Sequence, residues 1–153
     1  MRVSAKADYA VRAAAELAAA QAEEAPVKGE RLAEAQDIPL QFLEHILLEL
    51  KHHGIVRARR GAKGGYWLAK PAEEISIADV VRAVEGPIAH VQSSPPESIE
   101  YRGHAEHLQE VWIAVRANLR AVLEHVTLAD LVSDHLPAIV ENLVSQPDAW
   151  AAR

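Results

Sequence analysis

Apolar residues recur along this chain at three- and four-residue steps in several separate stretches, the signature of amphipathic helices. From Ser4 to Gln21 the stripe is Tyr9, Ala10, Ala13, Ala14 and Leu17, with Ser4 placed to cap the helix start. A loop at Glu23-Glu24-Ala25-Pro26 leads to a short second helix from Gly29 to Ala35. Asp37-Ile38-Pro39 then forms a turn, because Pro39 cannot continue one helix and pre-sets φ for the next. In the third helix Phe42, Leu43, Ile46, Leu47 and Leu50 make one apolar face, while Gln41, Glu44, His45, Leu48 and Lys51 point in other directions. Gly54 supplies the stop. The period then shortens: Ile55-Val56 and Tyr66-Trp67-Leu68 read as two strands joined by Arg59-Arg60-Gly61-Ala62-Lys63-Gly64-Gly65. Two short helices across a turn, followed by a glycine-punctuated hairpin, predict a winged helix-turn-helix.

The helical period returns at Ser76-x-x-Asp79, a capping-box start for a helix through Val84 that Gly86-Pro87 ends. Ser93-Ser94-Pro95-Pro96 is a stiff polar loop. From about His104 to Val126 a long helix carries Leu108, Val111, Trp112, Val115, Leu119, Val122 and Leu123. That stripe exceeds what one small domain needs, so it predicts dimerisation against a symmetry mate. Thr127 caps a last helix from Leu128 to Leu136, Pro137 breaks it, and Ala138 to Trp150 is expected to lie over the partner subunit. The expected fold is mainly α with a small β-wing: a winged-helix domain over 1–86, a loop over 87–107, and a dimerisation helix with a C-terminal helix over 108–153.

Composition sharpens this picture at two points. Cysteine is absent, which excludes disulfides, thiolate metal sites and cysteine nucleophiles. With no apolar run of transmembrane length and no secretory signal, the expected location is the cytoplasm. The formal net charge is −6, yet Lys51 to Lys70 holds six basic residues and no acidic one, so the rest of the chain carries −12. A phosphate backbone responds to that local face more than to the total, since salt screens charges beyond ~10 Å at 0.1 M.

The candidate chemistry follows from position. Residues near the start of a helix lying in the major groove reach base edges. Gln41, Phe42, Glu44 and His45 occupy that place. Gln can pair bidentately with adenine, Glu can accept from cytosine N4, His can donate, and Phe42 suits a thymine methyl or the core. Lys51, at the far end, and Lys28, at the second helix start, suit the sugar–phosphate backbone, as do Lys6 and Arg12 of the first helix. Arg59, Arg60 and Lys63 are expected at the hairpin tip, where narrow A·T-rich minor grooves attract arginine. A glycine-rich loop can also cradle nucleotide phosphates, but that requires a following helix start, and here a strand follows.

With Ser4-x-Lys6-x-x-Tyr9-Ala10, Leu32-Ala33, Ile38-Pro39, Phe42-Leu43-Glu44, Leu50, Gly54, Arg60-Gly61, Gly64-Gly65-Tyr66, Leu68, the 77–86 helix and Thr127-Leu128-Ala129-Asp130-Leu131 in order, the chain resembles the IscR/NsrR/CymR (BadM-like) winged-helix regulators. The resemblance implies a homodimeric repressor or activator of transcription, each subunit placing one winged helix on half of a palindromic operator in double-stranded DNA. It puts base reading on Gln41 and Glu44 and minor-groove contact on Arg60, within an interface that also takes in Ser4, Lys6, Lys28 and Arg57. Many members hold an iron–sulfur cluster through three cysteines in the loop that here reads HVQSSPPESIEYRGHAEH over 90–107. This chain is therefore similar to a cysteine-free branch, with no cofactor and with a small-molecule effector or a partner protein as its signal.

His104 and His107 lie one turn apart and could share a metal, but no third ligand completes the set, and a solvated helix start accounts for them; no metal is expected. An enzyme is not expected either: no nucleophile–base pair, metal spacing or phosphate cradle occurs. The competing reading is a winged helix that binds protein, against which the unbroken basic run counts.

Overall fold

The computed structural model describes residues 2–152. Its first helix, α1 (Ala5–Ala19), starts as expected at Ser4, whose hydroxyl accepts from the Ala7 N–H at 3.0 Å. Its buried face is built almost wholly of alanine: Ala7, Ala10, Ala13, Ala14 and Ala18, with Leu17. Such small side chains let neighbouring backbones come close from several sides. The elements gathered on it are α2 (Gly29–Gln36), α3 (Leu40–His52), α4 (Ile77–Glu85), α6 (Leu128–Val132) and the wing.

The turn between α2 and α3 has Asp37 in the left-handed region (φ 50°), and buried Ile38 donates its N–H to the Ala33 carbonyl at 2.9 Å. Leu43, Ile46, Leu47 and Leu50 of α3 face the core, as the periodicity predicts. Phe42 does not: it is 47% exposed, because α3 turns that edge of its stripe outward beyond the α1 contact. Gly54 (φ 72°) ends the helix, with the Ile55 N–H reaching back to the Leu50 carbonyl.

The wing strands are β1 (Val56–Arg59) and β2 (Gly65–Leu68), antiparallel, with Val56 opposite Leu68 and Arg59 opposite Gly65. Pairing thus runs further than expected, and Arg59 belongs to a strand while the tip is Arg60 to Gly64. Val27 adds a third, one-residue rung by exchanging both backbone hydrogen bonds with Tyr66 at 2.8 Å. Gly65 makes that approach possible. Its φ is 143°, and a Cβ there would stand 2.6 Å from the Val27 carbonyl oxygen.

Matching capping boxes, Ser76 with Asp79 and Thr127 with Asp130, open α4 and α6. The two starts are laced together, Ile77 donating to the Val126 carbonyl and Leu128 to that of Ile75. Val126 and Leu128 enter the same core as Leu17 and Leu47, so this folding unit draws on residues beyond 86. The long helix α5 is shorter than expected, Leu108–Leu123. A 3-10 turn over Gly103–Ala105 precedes it, with Gly103 at φ 59°, and at its other end the chain leaves the helix to pair Val126 with Ile77. Likewise α6 stops at Val132 rather than Leu136. Ser133 accounts for this: its backbone is extended and its hydroxyl engages the Asp130 and His135 carbonyls, drawing the chain out of the helix. After Pro137 comes α7 (Ala138–Val144).

No residue of α5 is fully buried within the chain. Polar contacts hold it instead. The Gln109 amide donates to the Ile99 carbonyl at 2.8 Å, Arg116 pairs with Glu97 at 2.6 Å, and Arg82 of α4 pairs with Glu124.

Two predictions follow from these attachments. Leu128→Ala removes a fully buried side chain from the α1 face and should cost about 2–5 kcal/mol in chemical denaturation. The Glu97 carboxyl is held below its ordinary value by a backbone hydrogen bond and by Arg116, and that of Glu124 by the Arg82 hydrogen bond. A folded pKa below the unfolded one means stabilisation present above about 4.5 and lost as the pH falls through the folded values. Amide exchange in α5 should therefore quicken below that pH in wild type, and change less in a Glu97→Gln/Glu124→Gln variant.

Candidate nucleic-acid interface

Between the start of α2, the exposed face of α3 and the wing lies a groove of about 470 Å³. Lys28, Glu44, Lys51, Arg59 and Arg60 all line it, along with Glu30. The folding reasons are local. The apolar face of α3 is committed to the core, which leaves Gln41, Phe42, Glu44, His45, Leu48 and Lys51 exposed on the opposite side. Antiparallel pairing with β2 then brings the basic end of β1 alongside that side.

The wing is fastened in this position. Lys28 donates from Nζ to the Gly61 carbonyl at 2.6 Å, tying the tip to the start of α2. Arg59 donates from Nη2 to the Lys63 carbonyl at 3.0 Å, closing the tip on itself. With the Val27–Tyr66 rung, these contacts hold the hairpin at three points along its length. The hairpin pattern alone does not reveal the rung. A lone β-branched residue just after Pro26 was the available signal.

Other expected interface residues sit apart from the groove. Arg57 alternates to a shallow surface with Lys51, Trp67 and Lys70, and Lys63 is exposed at the tip. Ser4 caps α1 and its hydroxyl donates to Glu85. Lys6 pairs with Glu49 of α3 at 2.8 Å, which joins α1 to α3 and offsets its charge. Arg12, also a backbone-contact candidate, is committed internally: it donates to the Gln36 carbonyl at 2.9 Å, at the C-terminal end of α2 where a cation is favoured. It also lies 4.8 Å over the Tyr9 ring, and Tyr9 meets Phe42 edge to face at 5.8 Å. Sequence reasoning missed this stack, which supports Phe42 from beneath while leaving it exposed.

On α5, Leu108, Trp112, Val115, Leu119, Val122 and Leu123 are half-buried, and Val111 is 51% exposed. Leu131, Val132, Leu136, Leu143 and Val144 add further exposed apolar surface beyond it. Among the described residues no three His, Asp or Glu side chains gather as a metal site. His107 faces Glu110 at 3.3 Å and Glu106 at 3.6 Å, and all three are largely exposed. No helix among the described residues is long and apolar enough to cross a membrane.

Comparison with known proteins agrees with this geometry. The Rrf2 family, described as "Iron-dependent Transcriptional regulator", matches residues 3–134. A Mycobacterium tuberculosis protein assigned as an HTH-type transcriptional regulator is 50% identical over 143 residues, covering 94% of this chain and 88% of its own. CymR of Bacillus subtilis is 34% identical over 133 residues, covering 87% and 91%. The solved structure of that CymR, described as the global cysteine regulator, superposes with a TM-score of 0.73 at 31% identity, over 86% of this chain and 96% of its own. IscR of T. potens superposes with a TM-score of 0.69 at 29% identity, over 100% and 93%. A mainly helical chain with a two-stranded wing, aligned over most of its length with such regulators, is a winged-helix DNA-binding transcriptional regulator, and it belongs to the Rrf2 family.

Proposed function

We propose that the protein acts as a homodimeric, sequence-specific repressor in the cytoplasm, where its DNA lies. In this reading each subunit sets α3 in the major groove and the wing in the adjacent minor groove of one half of a palindromic operator. One observation carries the reading: Lys28, Lys51, Arg59 and Arg60 converge on one groove beside the uncommitted face of α3, in a chain that is otherwise acidic. The cations supply sequence-independent affinity by displacing counterions from phosphates, and Gln41, Glu44 and His45 are left to meet base edges. Arg60 at the tip is the residue for the minor groove, and exposed Phe42 suits a thymine methyl.

Dimerisation is assigned to α5 on its uncovered apolar stripe. A stripe of Leu, Val and Trp that the chain's own core does not bury is a cost in water which a second copy removes. Repression is the simplest outcome of occupying an operator.

The family's description carries iron, and the donor set here does not fit an iron–sulfur cluster. The chain has no cysteine, and the 90–107 loop is held by Gln109 and Arg116 rather than by ligands. The proposed regulator therefore works without a cluster, its signal being a small molecule or a partner protein. Should the α3–wing surface bind protein instead, DNA affinity would be weak and indifferent to sequence.

Titration of a bound operator across a salt series tests the reading. Log K should fall linearly with log salt, by about 0.9 for each phosphate neutralised. Arg60→Ala should lower that slope by about one and weaken A·T-flanked sites most. Gln41→Ala should leave the slope unchanged and relax discrimination at one base pair by about 1–3 kcal/mol. Binding that ignores both substitutions would contradict these roles. Val111→Glu, at a position exposed in the single chain, should give folded monomers by sedimentation. Persistence of the dimer would remove α5 from the interface.

A further inference from the structure

The wing is a wall of two cavities. One is the groove beside α3. The other, about 440 Å³, lies between the end of α1, the segment that follows it, and the strands of the wing. That volume falls within the range of small-molecule sites, roughly 300–1,000 Å³. Leu17 and Leu68 line it with apolar surface that is almost fully buried, and the half-buried rings of Tyr66 and Trp67 extend that surface.

Its polar groups are few and of opposite sign. Gln21 is consumed structurally: its amide donates to the Lys70 carbonyl and its oxygen accepts from the Ala72 N–H, both at 2.9 Å. Those two bonds also fix the cavity wall, tying the end of α1 to the segment leaving the wing. The charged lining residues are Glu24 and Arg59, and neither forms an ion pair among the described residues. Glu24 is itself set by the bond from its N–H to the Gln21 carbonyl at 3.2 Å, in a left-handed conformation (φ 52°).

We propose that this cavity binds a small zwitterion of the α-amino-acid class with an apolar side chain. Its carboxylate would meet the Arg59 guanidinium, its ammonium the Glu24 carboxylate, and its side chain Leu17, Trp67 and Leu68. Other ligand chemistries fit less well. A simple anion would be set against Glu24 and a simple cation against Arg59. A neutral apolar molecule would desolvate both charges without partnering either.

Occupancy would reach the DNA face directly, because Arg59 and Tyr66 line both cavities. A carboxylate on Arg59 competes with a DNA phosphate for the same guanidinium and with the Lys63 carbonyl that Arg59 holds at the tip. The ligand is therefore a negative effector. This consequence rests on the proposed DNA-binding function, whereas the site itself does not.

Calorimetric titration of the full chain without DNA tests the site, using L-leucine and L-phenylalanine as probes and 3-phenylpropionate and phenethylamine as single-charge analogues. The expected result is saturable binding of both amino acids and affinity about tenfold or more lower for either analogue. Glu24→Gln should abolish the preference for L-phenylalanine over 3-phenylpropionate, and Ala25→Trp, which fills the cavity from an exposed loop position, should abolish binding. No binding up to about 10 mM, or binding indifferent to both substitutions, would overturn the site. Saturating L-phenylalanine should then weaken operator binding severalfold in wild type and not in Ala25→Trp. An unchanged wild-type affinity would overturn the link to DNA.

Discussion

The close packing around the alanine face of α1 is the constraint on which the rest of the structure depends. Ala10, Ala13 and Ala14 are wholly buried, so the helices against them meet near the backbone with no side chains between to adjust. A larger residue at any of these positions would push α3, α4 or α6 outward, and interiors packed at crystal density absorb such shifts poorly. Because α3 is held on this face by Leu43, Ile46, Leu47 and Leu50, its outward surface is fixed as well. The orientation of the candidate reading helix is thus a consequence of core packing.

From that fixed surface the charge arrangement follows. The wing hangs from α3 through Gly54 and is pinned to the α2 side by Val27 and Lys28, which brings its arginines beside the exposed face of α3. Acidic residues of the same body are partly withdrawn into pairs: Glu49 with Lys6, and Asp8 with Arg12. A chain of net charge −6 thereby keeps a basic groove. The same pinning gives the wing a second wall, so one arginine, Arg59, belongs to both the groove and the cavity behind it.

Much of this was legible in the sequence, and for identifiable reasons. The 3.6-residue period in α1 and α3, the Gly54 stop, and the Ser76-x-x-Asp79 and Thr127-x-x-Asp130 starts are local signals, and local signals survive folding. What was not legible depends on contacts between distant residues. Phe42 fits the apolar period of α3, and only the placement of α1 decides that it stays outside on Tyr9. The Val27 rung, the Lys28 clamp and the use of Arg12 as a clasp on α2 join residues about 24 to 39 positions apart. Helix ends failed where side chains competed with the helix, as Ser133 does after α6. The basic groove itself was readable because its cations cluster in one stretch, whereas the cavity behind the wing combines Leu17, Glu24, Arg59 and Trp67 and leaves no linear trace.

The central claim is that this scaffold reads a specific two-fold-symmetric DNA sequence. Selection of bound duplexes from a random pool, at near-physiological salt and with the purified full-length chain, tests it most directly. The account predicts enrichment of an inverted repeat, with half-sites related by the two-fold axis of a dimer. Recovery of unenriched sequence, or of no DNA at any moderate salt, would contradict it.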